Sequence, residues 1–197
     1  MIGIGISISI AFLIGAIPTA YLAGIYFKKV DIRTQGSGNV GATNAFRVLG
    51  RKIGIFVFII DFLKGGIPTL ILGPLLYPTL TQPDLNLLVG SAAILGHIFT
   101  PFLSFKGGKG VATGAGVLCA SFPMLFLVSM VVWVIIFSVS KTVSIASICS
   151  LASLLILSNL YQLSLRAQLA FLALFILILW THRSNVLRLL RGNESKF

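Results

Sequence analysis

Residues 111–140 read VATGAGVLCASFPMLFLVSMVVWVIIFSVS, a stretch without a single charge. How it crosses a membrane decides the fold. It is awkwardly long for one span, and Pro123 divides it. Residues 111–121 give ~16 Å of helix, about half a bilayer, and 123–140 give ~27 Å, about one crossing. Taken as one span, the stretch makes six crossings in all and leaves Lys141 and the C-terminus outside. Taken as a short helix that turns back near Pro123, it makes seven and keeps both inside.

The rest of the chain supports a membrane reading. Of its 197 residues 57% are hydrophobic and 10% charged, against roughly 25% charged in soluble domains. Mean hydropathy is +1.04. Residues 2–27 carry no charge and contain Pro18, a predicted kink; Lys28, Lys29 and Arg33 follow. Further spans are expected over 53–78, 87–103, 143–160 and 169–181, the last ending at Trp180, an interfacial anchor. Between them lie an outer loop with Pro78, Pro83, Asp84 and Asn86, and a turn from Tyr161 to Gln168 that carries Arg166. The net charge is +11, which in a soluble chain would suggest nucleic acid. Here the basic residues sit in short loops between apolar runs, as the positive-inside rule requires. Seven helices leave every basic residue except Lys64 and Arg166 on the cytosolic side, so seven are favoured over six. The expected fold is an all-α integral membrane protein, a bundle of seven transmembrane helices, some short or broken. Its N-terminus is outside and its C-terminus cytosolic. Residues 1–197 form one transmembrane domain, with cytosolic polar segments at about 28–52, 104–113 and 182–197. Cys119 and Cys149 lie in apolar runs, and no metal-ligand spacing is visible.

Three polar clusters stand out from this oily background. The first is Gly36-Ser37-Gly38-Asn39-Val40-Gly41-Ala42-Thr43-Asn44-Ala45-Phe46-Arg47. Glycines permit positive φ, and successive N–H groups in such a turn make an anion nest. Ser37, Asn39, Thr43 and Asn44 can add hydrogen bonds, and Arg47 can clamp a phosphate. The plainer alternative is a glycine-rich interhelical loop with one topogenic arginine. The second is Phe105-Lys106-Gly107-Gly108-Lys109-Gly110-Val111-Ala112-Thr113. It is not a nucleotide loop, because Gly110 follows Lys109 where a Walker sequence has Ser or Thr. A glycine-lysine turn at a helix N-terminus still suits an anion. The third is His182-Arg183-Ser184-Asn185, leading into an amphipathic tail with Arg188, Arg191, Glu194 and Lys196. Asp61 and Lys64, three apart on one helical face, read as an ion pair joining helices or as a substrate-facing lysine. His97 reads most simply as a buried, hydrogen-bonded residue.

In this order the motifs resemble the bacterial acyl-phosphate:glycerol-3-phosphate acyltransferases, the PlsY family. The resemblance covers nearly the whole chain. It rests on Asp31-Ile32-Arg33 leading into residues 36–44 with Arg47, and on Asp61-Phe62-Leu63-Lys64-Gly65. It continues through Gly96-His97, residues 105–113, His182-Arg183-Ser184-Asn185, and Gly192-Asn193-Glu194-Ser195-Lys196. One departure is visible: Thr100 stands where that family usually places proline, and the proline follows as Pro101. The resemblance implies transfer of a fatty acyl group from acyl phosphate to glycerol 3-phosphate, giving lysophosphatidic acid and phosphate in the cytoplasmic membrane. It implies catalytic roles for Ser37, Arg47, Lys109, His182 and Asn185. It also implies a substrate-binding set of Gly36, Gly38, Asn39, Gly41, Thr43, Asn44, His97, Lys106, Gly107, Gly108, Gly110, Ser147 and Arg183. Acyl phosphate, glycerol 3-phosphate and membrane lipids are the partners expected; no metal, organic cofactor or nucleic acid is.

The residues suit that chemistry. An acyl phosphate is already activated, so no covalent acyl-enzyme is required. The site must bring together two anionic substrates. Positioning can supply several kcal/mol of the barrier, and preorganised donors ~3–4 kcal/mol each. Two rivals fit less well. A transporter of organic anions needs a polar path across the bilayer, often with internal symmetry, whereas these charges crowd one face. A scaffold that only binds anionic lipid has no use for the glycine cradles.

Overall fold

The computed structural model describes residues 2–76 and 83–197. Every regular element in them is helical. In chain order these are α1 (Ile2–Ala16), α2 (Thr19–Ala23), a π-helical turn (Gly24–Lys28), a 3₁₀ turn (Ile32–Thr34), α3 (Ala42–Leu49), α4 (Arg51–Leu76) and α5 (Pro83–Ile98). A second 3₁₀ turn (Pro101–Leu103) precedes α6 (Val111–Ser121), α7 (Pro123–Ser140), α8 (Val143–Leu160), α9 (Leu165–Thr181) and α10 (Arg183–Leu190). Five helical segments are long and apolar enough to cross a membrane, six if the bent pair α9 and α10 counts as one; α6 is shorter. The protein is thus an all-helical integral membrane protein with five to six candidate spans.

The long apolar stretch breaks where proline dictates. Pro123 has no N–H and excludes the residue before it from helical geometry. Phe122 accordingly sits at φ −141°, ψ 73° between α6 and α7. Other boundaries differ from the sequence expectations. α4 begins at Arg51, not residue 53, and α5 begins at Pro83 rather than after Asn86. Proline is at home in the first helical turn, where its missing N–H would have had no partner. Helix α5 ends at Ile98, and the 3₁₀ turn carries the remainder of the expected span. The turn before α9 is shorter than expected, because Ser164 Oγ accepts the Ala167 N–H and caps the helix. Arg166 therefore lies in a first helical turn, not a loop. Pro78 lies outside the described residues.

The chain divides into two compact units, the first ending at Ser121 and the second spanning Phe122–Phe197. In the first, α4 packs on α1, α3, α5 and α6, and α1 packs on α5. Helices α4 and α6 approach backbone to backbone at Gly65, Gly66 and Gly116, the small-residue packing favoured in membranes. In the second unit α8 packs against both α7 and α9.

The break at Pro18 organises the first unit's interior. It frees carbonyls at the end of α1, where the helix dipole is negative. Thr100 Oγ1 donates to Ala16 O at 2.6 Å, and Lys64 Nζ donates to Ile17 O at 2.8 Å. Thr100, the departure from the usual family pattern, thus supplies a hydroxyl that proline could not. Lys64 Nζ also lies 2.8 Å from Asp61 Oδ1, an ion pair off line for a hydrogen bond, and His97 Nδ1 lies 3.9 Å from the same oxygen. All three side chains are buried. The ion pair lies within α4, and Lys64 ties it to the carbonyl at the end of α1.

Candidate active site

The first polar cluster is half turn, half helix. Positive φ at Gly36 (59°) and Gly38 (71°) turns the chain, and α3 starts after Gly41. Asn44 on α3 is 1% exposed. Its Nδ2 donates to Ile32 O at 3.2 Å and Gln35 O at 3.1 Å, and its Oδ1 accepts the Ser37 N–H at 2.9 Å. A side chain at residue 36 would collide with that carboxamide, which is why glycine stands there. The Gly38 N–H donates to Gln35 O at 3.0 Å, and the Asn39 N–H to Ser37 Oγ at 3.5 Å. This corrects one expectation: the N–H groups of Ser37 and Gly38 serve the loop's own acceptors rather than an open nest, while the Asn44 side chain braces the loop. The loop offers side chains instead: exposed Ser37, half-buried Asn39, and Thr43 and Arg47 one turn apart on one face of α3.

Arg33 and Asp31 pair with each other. The guanidinium makes two short contacts, Nε to Oδ1 at 3.0 Å and Nη2 to Oδ2 at 2.6 Å, and lies over the Tyr21 ring. Hydrogen bonds from the Arg33 side chain and backbone hold the Asp31 carboxyl below the ordinary value. That makes it a poor base at neutral pH.

The second cluster folds back on the end of α5. Lys106 N–H donates to Leu103 O, Gly107 N–H to Ile98 O at 2.9 Å and Gly108 N–H to His97 O at 3.1 Å. These donors are internal too. The glycines serve close approach: a Cβ on Gly108 would strike the His97 imidazole, and one on Gly107 the His97 carbonyl. Gly110, at φ 86°, turns the chain into α6. His97 is buried beneath the loop and beside Asp61, and it supports the loop. The loop's cations, exposed Lys106 and half-buried Lys109, remain at its surface. Leu103, in the 3₁₀ turn that leads into this cluster, shares one apolar core with Val40 and Ala45 from the first, over Val57 of α4. The first unit thereby brings the two clusters together.

The third cluster belongs to the second unit. His182 stands at the 57° bend between α9 and α10. Its side chain is buried, and Nδ1 lies 2.8 Å from Ile178 O. A carbonyl only accepts, so Nδ1 carries the proton and Nε2 of the neutral ring is the acceptor. Asn185, 5% exposed, receives its orientation from Glu194, which the sequence marks only as an acid in the basic tail. Glu194 Oε1 accepts from Asn185 Nδ2 at 2.5 Å and from Ser144 Oγ at 2.9 Å, and Oε2 accepts from Arg188 Nε at 2.7 Å. Partial burial pushes the Glu194 carboxyl up, but the bonds from Asn185, Arg188 and Ser144 outweigh it and its pKa ends below the ordinary value. Gly192, at φ 71°, returns the chain so that Glu194 reaches Asn185. A lone acid in a basic tail was the available signal. Arg183, expected at substrate, folds over the Trp180 ring at 4.2 Å and donates to the Trp180 carbonyl. Ser147 is buried on α8, where it accepts a hydrogen bond from Trp133. Among the described residues no group of three His, Cys, Asp or Glu could hold a metal ion.

Comparison with known proteins gives a consistent result. The family model described as glycerol-3-phosphate acyltransferase matches residues 5–192. A glycerol-3-phosphate acyltransferase of Myxococcus xanthus is 40% identical over 95% of this chain and 96% of its own. One from Listeria monocytogenes is 44% identical over 95% and 93%. Two crystal structures of PlsY (YgiH), an integral membrane glycerol 3-phosphate acyltransferase, also match. The glycerol 3-phosphate form has a TM-score of 0.88 at 37% identity, covering 98% of this chain and 95% of that one. The lysophosphatidic acid form has a TM-score of 0.87 at 38% identity, with the same coverage.

Proposed function

Since this chain belongs to the glycerol-3-phosphate acyltransferase family, we propose that its acyl donor is an acyl phosphate and its products are lysophosphatidic acid and inorganic phosphate. The acceptor hydroxyl oxygen attacks the acyl carbon, the bond from that carbon to the phosphate oxygen breaks, and the hydroxyl proton passes to the departing phosphate. Ser37, Asn39, Thr43 and Arg47 hold the donor phosphate. Lys106 and Lys109 hold glycerol 3-phosphate, and His182 and Asn185 orient its hydroxyl. Asn44 and His97 act through the loops they brace. The acyl tail lies between helices, open to membrane lipid, and residues 1–197 work as one transmembrane domain.

The observation that carries this reading is the state of His182. With Nδ1 tied to the Ile178 carbonyl, Nε2 is the accepting nitrogen of the neutral ring, the kind of group that can hold an alcohol hydroxyl. The test is purified protein with acyl phosphate and radiolabelled glycerol 3-phosphate, with labelled lysophosphatidate as the expected product. Equal product from acyl-coenzyme A would overturn the donor assignment. In the same assay Arg47→Lys keeps the charge but loses the planar fork. It should lower kcat/KM on the order of 10²-fold, mainly for acyl phosphate.

The bundle is read as seven helices, α6 being a short seventh, with the N-terminus outside and the active site and C-terminus cytosolic. Single cysteines at Ser37, Lys109 and Ser195 should then be labelled only from the cytosolic side. Labelling of Ser195 from outside would favour six.

A further inference from the structure

Helix α10 presents two different faces. Asn185 is buried on one and carries the contact to Glu194. Arg183, Leu187, Leu190 and the adjoining Arg191 are exposed on the other, at helical spacing. Leu187 is 53% and Leu190 80% exposed. The stripe continues one on α9, where Ile176 and Trp180 are also exposed. The Arg183 guanidinium, 4.2 Å over the Trp180 ring, joins the two.

The place of this face in the chain says what covers it. Helix α9 has 17 residues, ~26 Å of helix, a little less than a ~30 Å hydrocarbon core. Its exposed apolar side meets lipid, and Trp180 near its end is a residue of the lipid–water boundary. The chain then bends by 57°. The eight residues of α10 are ~12 Å long and advance only ~7 Å along the α9 axis. That is the course of an interfacial helix, with leucines toward the acyl chains and arginines at the headgroups. Charge selects the lipid. Residues 180–193 contain three arginines and no acid. Glu194 pairs with Arg188. Arg191 and Lys196 are exposed, and among the described residues no carboxylate pairs with either. An anionic headgroup supplies that partner.

We propose that the outer face of α10 docks on anionic lipid headgroups, and that this contact holds Asn185, on the opposite face, in its working position. The catalytic half of the inference rests on the functional reading above. The test is purified protein reconstituted in vesicles of phosphatidylcholine, alone or with one-third phosphatidylglycerol. The readout is kcat at saturating substrates, because an anionic surface repels glycerol 3-phosphate and raises its KM whatever α10 does. With phosphatidylglycerol kcat should be roughly fivefold higher, the share of one basic residue at an anionic surface. Arg191→Gln should remove most of that difference and leave kcat in phosphatidylcholine within about twofold. Equal kcat in the two vesicles, or a difference that Arg191→Gln leaves intact, would overturn the proposal. The docking has a test that needs no catalysis. With Leu190→Trp in a Trp133→Phe, Trp180→Phe background, emission should be quenched by lipids brominated near the headgroup end of their chains, more strongly when phosphatidylglycerol is present. Emission that these lipids leave unquenched would overturn the docking. So would disulfide crosslinking of Leu190→Cys between two copies in the vesicles, which would give the face to a second copy of the chain. Wild-type protein that forms no lysophosphatidate in either vesicle would defeat the functional reading instead, and the quenching would still decide the docking.

Discussion

Glu194→Ala should lower acyl transfer by about 10²-fold or more, with the loss mainly in kcat. Asn185 Nδ2 donates to Glu194 Oε1, and Ser144 and Arg188 converge on the same carboxylate. Removing it leaves a buried amide without its acceptor and a guanidinium without its partner. A displacement of ~1 Å in a positioning group is enough for a loss of that order. Glu194→Gln should fall between alanine and wild type. Its oxygen can still accept from Asn185 and Ser144, but its amide meets Arg188 donor to donor. Steady-state rates for both variants check this, with thermal unfolding in detergent to confirm that each is folded. Alanine at wild-type kcat would show that Asn185 needs no such brace. The pH dependence follows from the sign of the shift. Glu194 has a native pKa below the ordinary value of 4.5, so its contribution to stability is complete above that value and is lost as pH falls through the lower native one. Near neutrality the brace is fully ionised.

The pattern that sequence could carry is the pattern that hydrophobicity and proline enforce. The break at Phe122, the helix over 143–160 and the kink at Pro18 follow from backbone chemistry and apolar runs, which act locally. The three polar clusters stood out because polar residues are rare in this chain. What those residues do is decided by which acceptor each donor meets, and that depends on folds of the chain many residues away. The N–H groups of Ser37, Gly107 and Gly108 were expected to face an anion, but Asn44 and the carbonyls of α5 reach them first. Thr100 looked like an irregularity until the end of α1 supplied Ala16 O. Glu194 was hidden for the same reason: only the turn at Gly192 brings it back to Asn185.

His182→Gln should keep clearly more activity than His182→Ala, and its pH–rate profile should retain the wild-type shape. The histidine is the obvious base, since imidazole ordinarily titrates near neutrality. Its geometry also fits a second role. The Nδ1–H is bound to the Ile178 carbonyl, where the Thr181 hydroxyl donates as well. The ring is thereby fixed in orientation, and Nε2 is the accepting nitrogen of the neutral imidazole. The leaving phosphate meanwhile gains basicity as its bond to the acyl carbon breaks, and it lies next to the oxygen that must lose a proton. If the phosphate takes the proton, His182 has only to hold the hydroxyl in line. A glutamine side chain places an acceptor oxygen near the position of Nε2, so it can meet that need in part, whereas alanine cannot. General-base catalysis would gain nothing from an amide, which does not accept a proton in this range, and it typically contributes ~10²–10⁴-fold. The decisive measurement is kcat/KM for both variants from about pH 5.5 to 8.5, a window spanning the ordinary histidine titration. A glutamine variant as inactive as alanine, or an acidic limb that disappears with His182, would assign the base to histidine and end the substrate-assisted reading.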